Sequence, residues 1–191
     1  MKSTKRTLWV LAVAVAALTL VSHYRSPLPR RWTEVRHGWL FRSAQIPAAN
    51  VAAVLRDERI DLVIDLSDDP TDPDFEPEAV AAHALGVRYL HAPVSSRAAD
   101  AIVSYAHAVA AIAQAHARGE RVLVHCEIGH RRSAAAVALY ARLVEHEPPP
   151  VAYRELYRYA DARAAWQASM QEFLEQNLPE LEARVSAELA Q

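Results

Sequence analysis

Apolar and polar positions follow two alternating patterns along this chain. Short runs rich in β-branched residues, Asp61-Leu-Val-Ile-Asp-Leu66, Val87–Leu90 and Arg121-Val-Leu-Val-His125, read as strands. Between and after them, Ala-rich stretches over Pro77–Leu85, Asp100–Ala117 and Arg132–Glu147 read as helices, the last closed by Pro148, Pro149 and Pro150. Strand and helix in alternation predict an α/β fold, a central and mostly parallel sheet flanked by helices. Further helices are predicted over Val151–Ala160, Asp161–Asn177 and Pro179–Leu189, with Tyr153, Tyr157, Tyr159 and Trp166 packing back against the domain. The acidic, Pro-containing tract Asp68–Glu78 reads as a solvated connection rather than a metal loop.

The first segment has a different character. After Lys2, Lys5 and Arg6, no charged side chain occurs from Thr7 to Tyr24, and as a helix this run would span roughly 27 Å, enough for a thin hydrocarbon core. A membrane anchor or a signal peptide would fit. Cleavage after Ala17 would leave Leu18, Leu20 and Val21 exposed on the mature chain, so a single-pass N-terminal anchor is the expectation. The organisation is then an anchor or signal segment over 1–24, a linker over 25–31 and a domain over 32–191 with extra C-terminal helices. Cations flank the apolar run on both sides, with Arg25, Arg30, Arg31 and Arg36 following it, so the side of the membrane is open; the periplasmic face is preferred.

Composition narrows the chemistry. The 191 residues carry 21 Lys and Arg against 23 Asp and Glu, a formal charge of −2, which gives no reason to expect a nucleic-acid partner. The nine His show no spacing of a metal-binding helix pair, and no metal or other cofactor is expected. The single Cys excludes an intrachain disulfide, so Cys126 is either an inert core residue or a reagent. Its neighbours decide between the two. In Val122-Leu-Val-His-Cys-Glu-Ile-Gly-His-Arg-Arg-Ser133 a buried strand runs through a short loop into an Ala-rich helix. The strand end is where α/β sheets bind ligands, and the unpaired N–H groups of a helix start attract anions and depress a thiol pKa. Gly129 would let the loop turn with positive φ, so that successive N–H groups point inward as a nest. Arg132 would supply a fork for two oxygens of a tetrahedral oxyanion, and Ser133 a hydroxyl for the leaving thiolate.

These residues resemble the cysteine-dependent protein tyrosine phosphatases of dual-specificity type, whose signature His-Cys-x-x-Gly-x-x-Arg-Ser/Thr stands here as His125 to Ser133. The segment Gly38-Trp-Leu-Phe-Arg-Ser-Ala-Gln45 followed by Pro47 is similar to the opening of bacterial members, and the resemblance covers roughly Val35 to Val144. It implies Cys126 as nucleophile, Arg132 as oxyanion ligand, and a phosphate-binding loop made of Glu127, Ile128, Gly129, His130, Arg131, Arg132 and Ser133. His125 would support the thiolate from behind, together with Ser133. The reaction implied is phosphomonoester hydrolysis through a cysteinyl-phosphate, without metal.

The general acid departs from the family pattern. Where an Asp usually follows the strand equivalent to Val87–Leu90, this chain has Ser95 and Ser96, with Asp100 slightly later. Asp100 is the expected acid, with an N-terminal helix cap as its bland reading; Asp68, Asp69 and Glu127 are the alternatives. Arg42 either binds anionic substrate or pairs with a structural carboxylate. The expected substrate is a phosphorylated protein. A phospholipid, phosphoinositide or inositol phosphate is the alternative that the apolar segment makes reasonable, and a phosphate-binding pseudophosphatase is the alternative of another class. Sulfur transfer and arsenate reduction also use Cys loops, but the latter needs further cysteines.

Overall fold

The computed structural model describes residues 28–69, 75–95, 97–159 and 164–191. The apolar segment 1–24 and residues 25–27 of the linker lie outside the described residues. Among the described residues no helix is long and apolar enough to cross a membrane.

The chain enters through a hairpin, β1 (Thr33–Arg36) and β2 (Leu40–Ala44), then a short turn and α1 (Val51–Asp57). There follow β3 (Leu62–Asp65), α2 (Phe75–Ala84), β4 (Arg88–His91), α3 (Ala98–Ala117), β5 (Val122–Cys126) and α4 (Arg132–Leu143). Two single-turn helices, α5 (Pro149–Ala152) and α6 (Arg154–Tyr157), lead to α7 (Ala164–Gln176) and α8 (Leu178–Leu189). The five strands lie in the order β1-β2-β5-β3-β4. All pairings are parallel except β1 with β2, as the alternation of strand and helix predicts.

Because side chains alternate along a strand, β3 and β5 feed two cores. Leu62, Ile64, Val122 and Val124 face α3, α4 and the C-terminal helices, while Val63 and Leu123 face α1 and α2. β5 is central and buried throughout, so its C-terminal end opens into a cleft between neighbouring strand ends. Helix α8 packs along α3, and Leu181 and Val185 join the larger core, which accounts for the extra C-terminal chain.

The structure differs from the sequence expectation in three places. The β1–β2 hairpin was not evident from the pattern, because β2 buries Arg42 and Ser43 completely and reads as polar. Helix α4 stops at Leu143, before the Pro run; His146 takes a left-handed φ of 57°, and Pro149 opens a new turn of helix instead. The tract Asp68–Glu78 is more than a solvated connection. Helix α2 begins inside it and turns Glu78 into the interior, where it is fully buried.

Candidate active site

Strand β5 ends in His125 and Cys126, and the chain then curls through Glu127, Ile128, Gly129, His130 and Arg131 into α4, which starts at Arg132. Gly129 makes this curl possible. Its φ is +68°, and a Cβ there would lie 2.3 Å from the Ala44 nitrogen and 2.6 Å from the Ser43 carbonyl oxygen. Cys126 is 3% exposed at the floor of the curl, with its Sγ 3.7 Å from Ser133 Oγ. Burial opposes a thiolate here. The N–H and hydroxyl of Ser133, the N–H of Gly129 and the charge of His125 outweigh it, so the thiol pKa falls below its ordinary value.

His125 lies behind the sulfur and is fully buried between two carboxylates. Its Nε2 lies 3.2 Å from Glu78 Oε1 and its Nδ1 3.6 Å from Asp65 Oδ1. Burial disfavours the imidazolium, but the two carboxylates prevail and the pKa rises from 6.5 to about 9. The carboxylates are braced in turn: Gln45 Nε2 donates to Glu78 Oε2 at 2.7 Å, and the Tyr89 hydroxyl and Ser67 N–H donate to Asp65. Asp65, Glu78 and His125 have the donor types and spacing that could hold a metal ion. As a charged imidazolium between two anions they form a self-contained ion cluster, whose cation supports the neighbouring thiolate.

Arg132 pairs with Asp68, Nη2 to Oδ1, at 2.5 Å. Arg132 is half-buried and Asp68 is exposed. The cleft has a volume of about 420 Å³ and is lined by Arg31, Cys126, Glu127, Ile128, His130, Arg131 and Arg132. Arg31 belongs to the segment before β1; its guanidinium donates to the Ile128 carbonyl at 2.8 Å and lies over the Tyr159 ring. Ile128 stands exposed at the rim.

A clamp from the C-terminal half holds the loop from outside. Arg42, fully buried, donates to the Gly129 carbonyl at 3.1 Å and through Nε to Glu155 Oε2 on α6 at 3.0 Å. Of its two sequence readings, pairing with a structural carboxylate is the one observed. His130 Nε2 lies 2.8 Å from the Tyr159 carbonyl oxygen, and the Tyr159 hydroxyl meets Thr33 Oγ1 at 2.6 Å.

The structure therefore gathers Cys126 to Ser133 and His125 into one cradle, as the motif implied. Asp100 is not part of it. It sits on the exposed first turn of α3, 3.2 Å from Arg97 Nε and 3.5 Å from Ser95 Oγ, and does not line the cleft. Residues that sequence reasoning did not join to the site are Arg31, Asp65, Glu78, Glu155 and Tyr159. Each comes from a segment remote in sequence, and among them only the linker position of Arg31 and the acidic character of Glu78 carried any signal.

A thiol of lowered pKa cupped by N–H groups, an arginine and a hydroxyl at a strand–helix junction is a device for binding and attacking a tetrahedral oxyanion. The dual specificity phosphatase catalytic-domain family model matches residues 44–176, and the chain belongs to that family of cysteine-dependent phosphatases. No curated protein sequence matches it. Among solved structures, PTPMT1 superposes with a TM-score of 0.59 at 20% identity, over 82% of this chain and 99% of that one. Tk-PTP in its active form gives 0.60 at 22%, over 80% and 97%, and TpbA of P. aeruginosa gives 0.57 at 20%, over 85% and 99%. A second PTPMT1 structure, in complex with PI(5)P, gives 0.59 at 18%, over 78% and 97%.

Proposed function

We propose that Cys126 attacks the phosphorus of a phosphomonoester and carries the phosphoryl group as a cysteinyl-phosphate, which water then hydrolyses. The observation that carries this reading is the placement of Cys126 at the floor of a cradle lined by the loop Glu127–Arg132, with Ser133 Oγ 3.7 Å from its Sγ; the lowered thiol pKa agrees with it. As the S–P bond forms and the P–O bond breaks, negative charge stays on the equatorial oxygens, which Arg132 and the inward N–H groups bind. Ser133 then donates its hydroxyl to the sulfur as water displaces it. Intact Cys126 and Arg132 argue against a pseudophosphatase.

His125 holds the thiolate only while it is charged, and Glu78 helps to keep it charged. Glu78→Gln is expected to lower the His125 pKa, remove part of the cation behind the sulfur and raise the Cys126 pKa. The acidic limb of the kcat/KM profile then moves to higher pH, with a loss of roughly three- to tenfold at pH 5.5 that is regained near pH 8. An equal loss at both pH values would mean that Glu78 matters only for folding.

The proposed substrate is a phosphorylated protein. A phosphorylated lipid is a second reading, favoured by Arg31. That residue lines the mouth beside His130 and Arg131 and lies seven positions after Tyr24, the end of the uncharged run. If the run is embedded as a single-pass anchor, as we also propose, seven residues span at most about 25 Å, so the cleft opens close to the bilayer surface. The decisive assay sets phosphotyrosyl peptide, phosphothreonyl peptide and phosphoinositide vesicles side by side, using the full chain and Arg31→Ala. Protein specificity predicts higher kcat/KM on a peptide and little effect of Arg31→Ala. Lipid specificity predicts preference for vesicles and a loss of about tenfold or more in the variant. A reporter fused at Gln191 reads out the membrane side, with periplasmic signal expected.

A further inference from the structure

We infer that Arg42, held by Glu155, is a positioning residue for phosphoryl transfer: it fixes the Gly129–His130 peptide so that the His130 N–H faces the oxyanion. The role rests on the cysteinyl-phosphate reading, and it makes α6 a working part of the site. A peptide bond is planar and trans, so its carbonyl oxygen and its N–H point in opposite directions. A loop that turns successive N–H groups inward as a nest must turn the carbonyls of the same peptides outward, where a buried one needs a donor. Three such donors follow one another. The Gln45 N–H donates to the Glu127 carbonyl at 3.3 Å, the Arg31 guanidinium to the Ile128 carbonyl at 2.8 Å, and Arg42 Nη1 to the Gly129 carbonyl at 3.1 Å. The N–H groups of Ile128, Gly129 and His130 are thereby aimed the other way, and that of Gly129 is directed at the Cys126 sulfur.

The three donors are not equivalent. Gln45 uses a backbone N–H at the end of β2, and the Arg31 contact is exposed, where water can take its place. The Arg42 contact is buried, so its loss leaves the Gly129 carbonyl without a replacement donor. Arg42 in turn needs a partner, because a fully buried guanidinium without one is costly. Its Nε donates to Glu155 Oε2 at 3.0 Å and its Nη2 to the Glu155 carbonyl at 3.3 Å, while its Cζ lies 5.2 Å from the centre of the Tyr159 ring. The rigid fork therefore ties one residue of α6 to one loop carbonyl, a task for which a lysine's single flexible ammonium is poorly shaped. Glu155 is 3% exposed and is itself held by Arg158, whose Nε and Nη2 donate to the same carboxylate at 2.6–2.9 Å. As the S–P bond forms, charge on the equatorial oxygens strengthens each correctly aimed N–H bond, so a turned Gly129–His130 peptide costs turnover. The thiol is affected differently. The Gly129 N–H belongs to the preceding peptide, whose carbonyl Arg42 does not touch, and Ser133 and His125 lie outside the clamp.

A split between oxyanion binding and thiol ionisation separates positioning from a merely structural role. Wild type, Arg42→Met, Arg42→Lys, Glu155→Gln and Arg158→Ala are compared, with Cys126→Ser as the blank for turnover. On the folded fraction, set by near-UV circular dichroism, three quantities are read: kcat on 4-nitrophenyl phosphate, the Kd of tungstate, and the pH midpoint of Cys126 alkylation by iodoacetamide. Arg42→Met is expected to lose about 10- to 100-fold in kcat and roughly fivefold or more in tungstate affinity, with the alkylation midpoint little moved. Arg42→Lys regains part of both. Glu155→Gln, which keeps an oxygen for Arg42 Nε but not the charge, loses roughly three- to tenfold in kcat. Arg158→Ala removes a cation from the same carboxylate and leaves the bond to Gly129 in place, so it stays within about twofold of wild type. Unchanged kcat and tungstate affinity in the folded Arg42 variants overturn the inference. So does a loss in which the alkylation midpoint rises in step, since the whole loop has then been disturbed. If Arg42→Met does not fold, Arg42→Lys and Glu155→Gln decide by the same criteria. Wild-type turnover no greater than that of Cys126→Ser overturns the cysteinyl-phosphate reading instead, and tungstate affinity still decides on Arg42.

Discussion

Cys126→Ser is expected to lower phosphatase kcat by about 10⁴-fold or more while the protein still binds a phosphate analogue such as tungstate. The reason lies in which atom the cradle is built to ionise. The N–H groups of Gly129 and Ser133, the Ser133 hydroxyl and the charged His125 bring a thiol below its ordinary pKa, whereas a serine hydroxyl starts far too high for the same contacts to ionise it at neutral pH. Nothing else in the cradle changes. Arg132 and the loop N–H groups remain in place for an oxyanion, so binding and turnover separate. The check is steady-state hydrolysis of 4-nitrophenyl phosphate with chelator present, together with calorimetric titration of tungstate and mass spectrometry of acid-quenched enzyme. Wild type should show one phosphoryl group on Cys126, and the variant none. Turnover that survives in Cys126→Ser would sink the mechanism. Tungstate binding by both proteins with turnover by neither would support the phosphate-binding alternative.

Legibility in the sequence followed how local each feature is. Cys126, Gly129, Arg132 and Ser133 sit within eight consecutive positions, so one loop conformation brings them together and the motif could be read directly. Strands β3, β4 and β5 were visible as short β-branched runs bounded by turn residues, and their parallel arrangement followed from the helices between them. The β1–β2 hairpin was hidden because its buried polar residues serve the site: Arg42 is there to hold the Gly129 carbonyl and Glu155, and a fully buried arginine breaks the apolar pattern of a strand. Glu78 was hidden for a related reason. Its charge fits a solvated tract until the fold places it against His125, a contact between segments 47 residues apart. Asp100 shows the opposite case, a residue whose place in the sequence is clear while its place in the structure is apart from the cradle. Its position after β4 fits the family's usual acid, but the helix start turns it toward Arg97 and solvent.

The largest expected effect on stability comes from Gly129→Ala, and it has an internal control. Gly129 and Gly119 adopt nearly the same left-handed φ, +68° and +73°, so placing Ala at either costs about 1–2 kcal/mol of backbone strain. Only their surroundings differ. A Cβ on Gly119 would have nothing within 4 Å, whereas one on Gly129 would meet the Ala44 nitrogen at 2.3 Å and the Ser43 carbon at 2.5 Å. Those neighbours are backbone and cannot swing aside. Ser43 and Ala44 are in register with His125 and Cys126 in the sheet, and Arg42 pins the Gly129 carbonyl from the far side. Overpacking against such a wall adds roughly 1–3 kcal/mol, so Gly129→Ala should cost about 2–5 kcal/mol in all, a large part of a typical domain's 5–15 kcal/mol. Urea unfolding of both variants tests this, with the Gly129→Ala midpoint expected well below that of Gly119→Ala. Activity should separate them further, because relief of the clash must move either β2 or the loop, and the loop is the softer of the two. Gly119→Ala then keeps near wild-type kcat/KM, while any folded Gly129→Ala loses most of it through displaced N–H groups. Equal midpoints and equal activities would mean that the loop does not pack against β2 in this way.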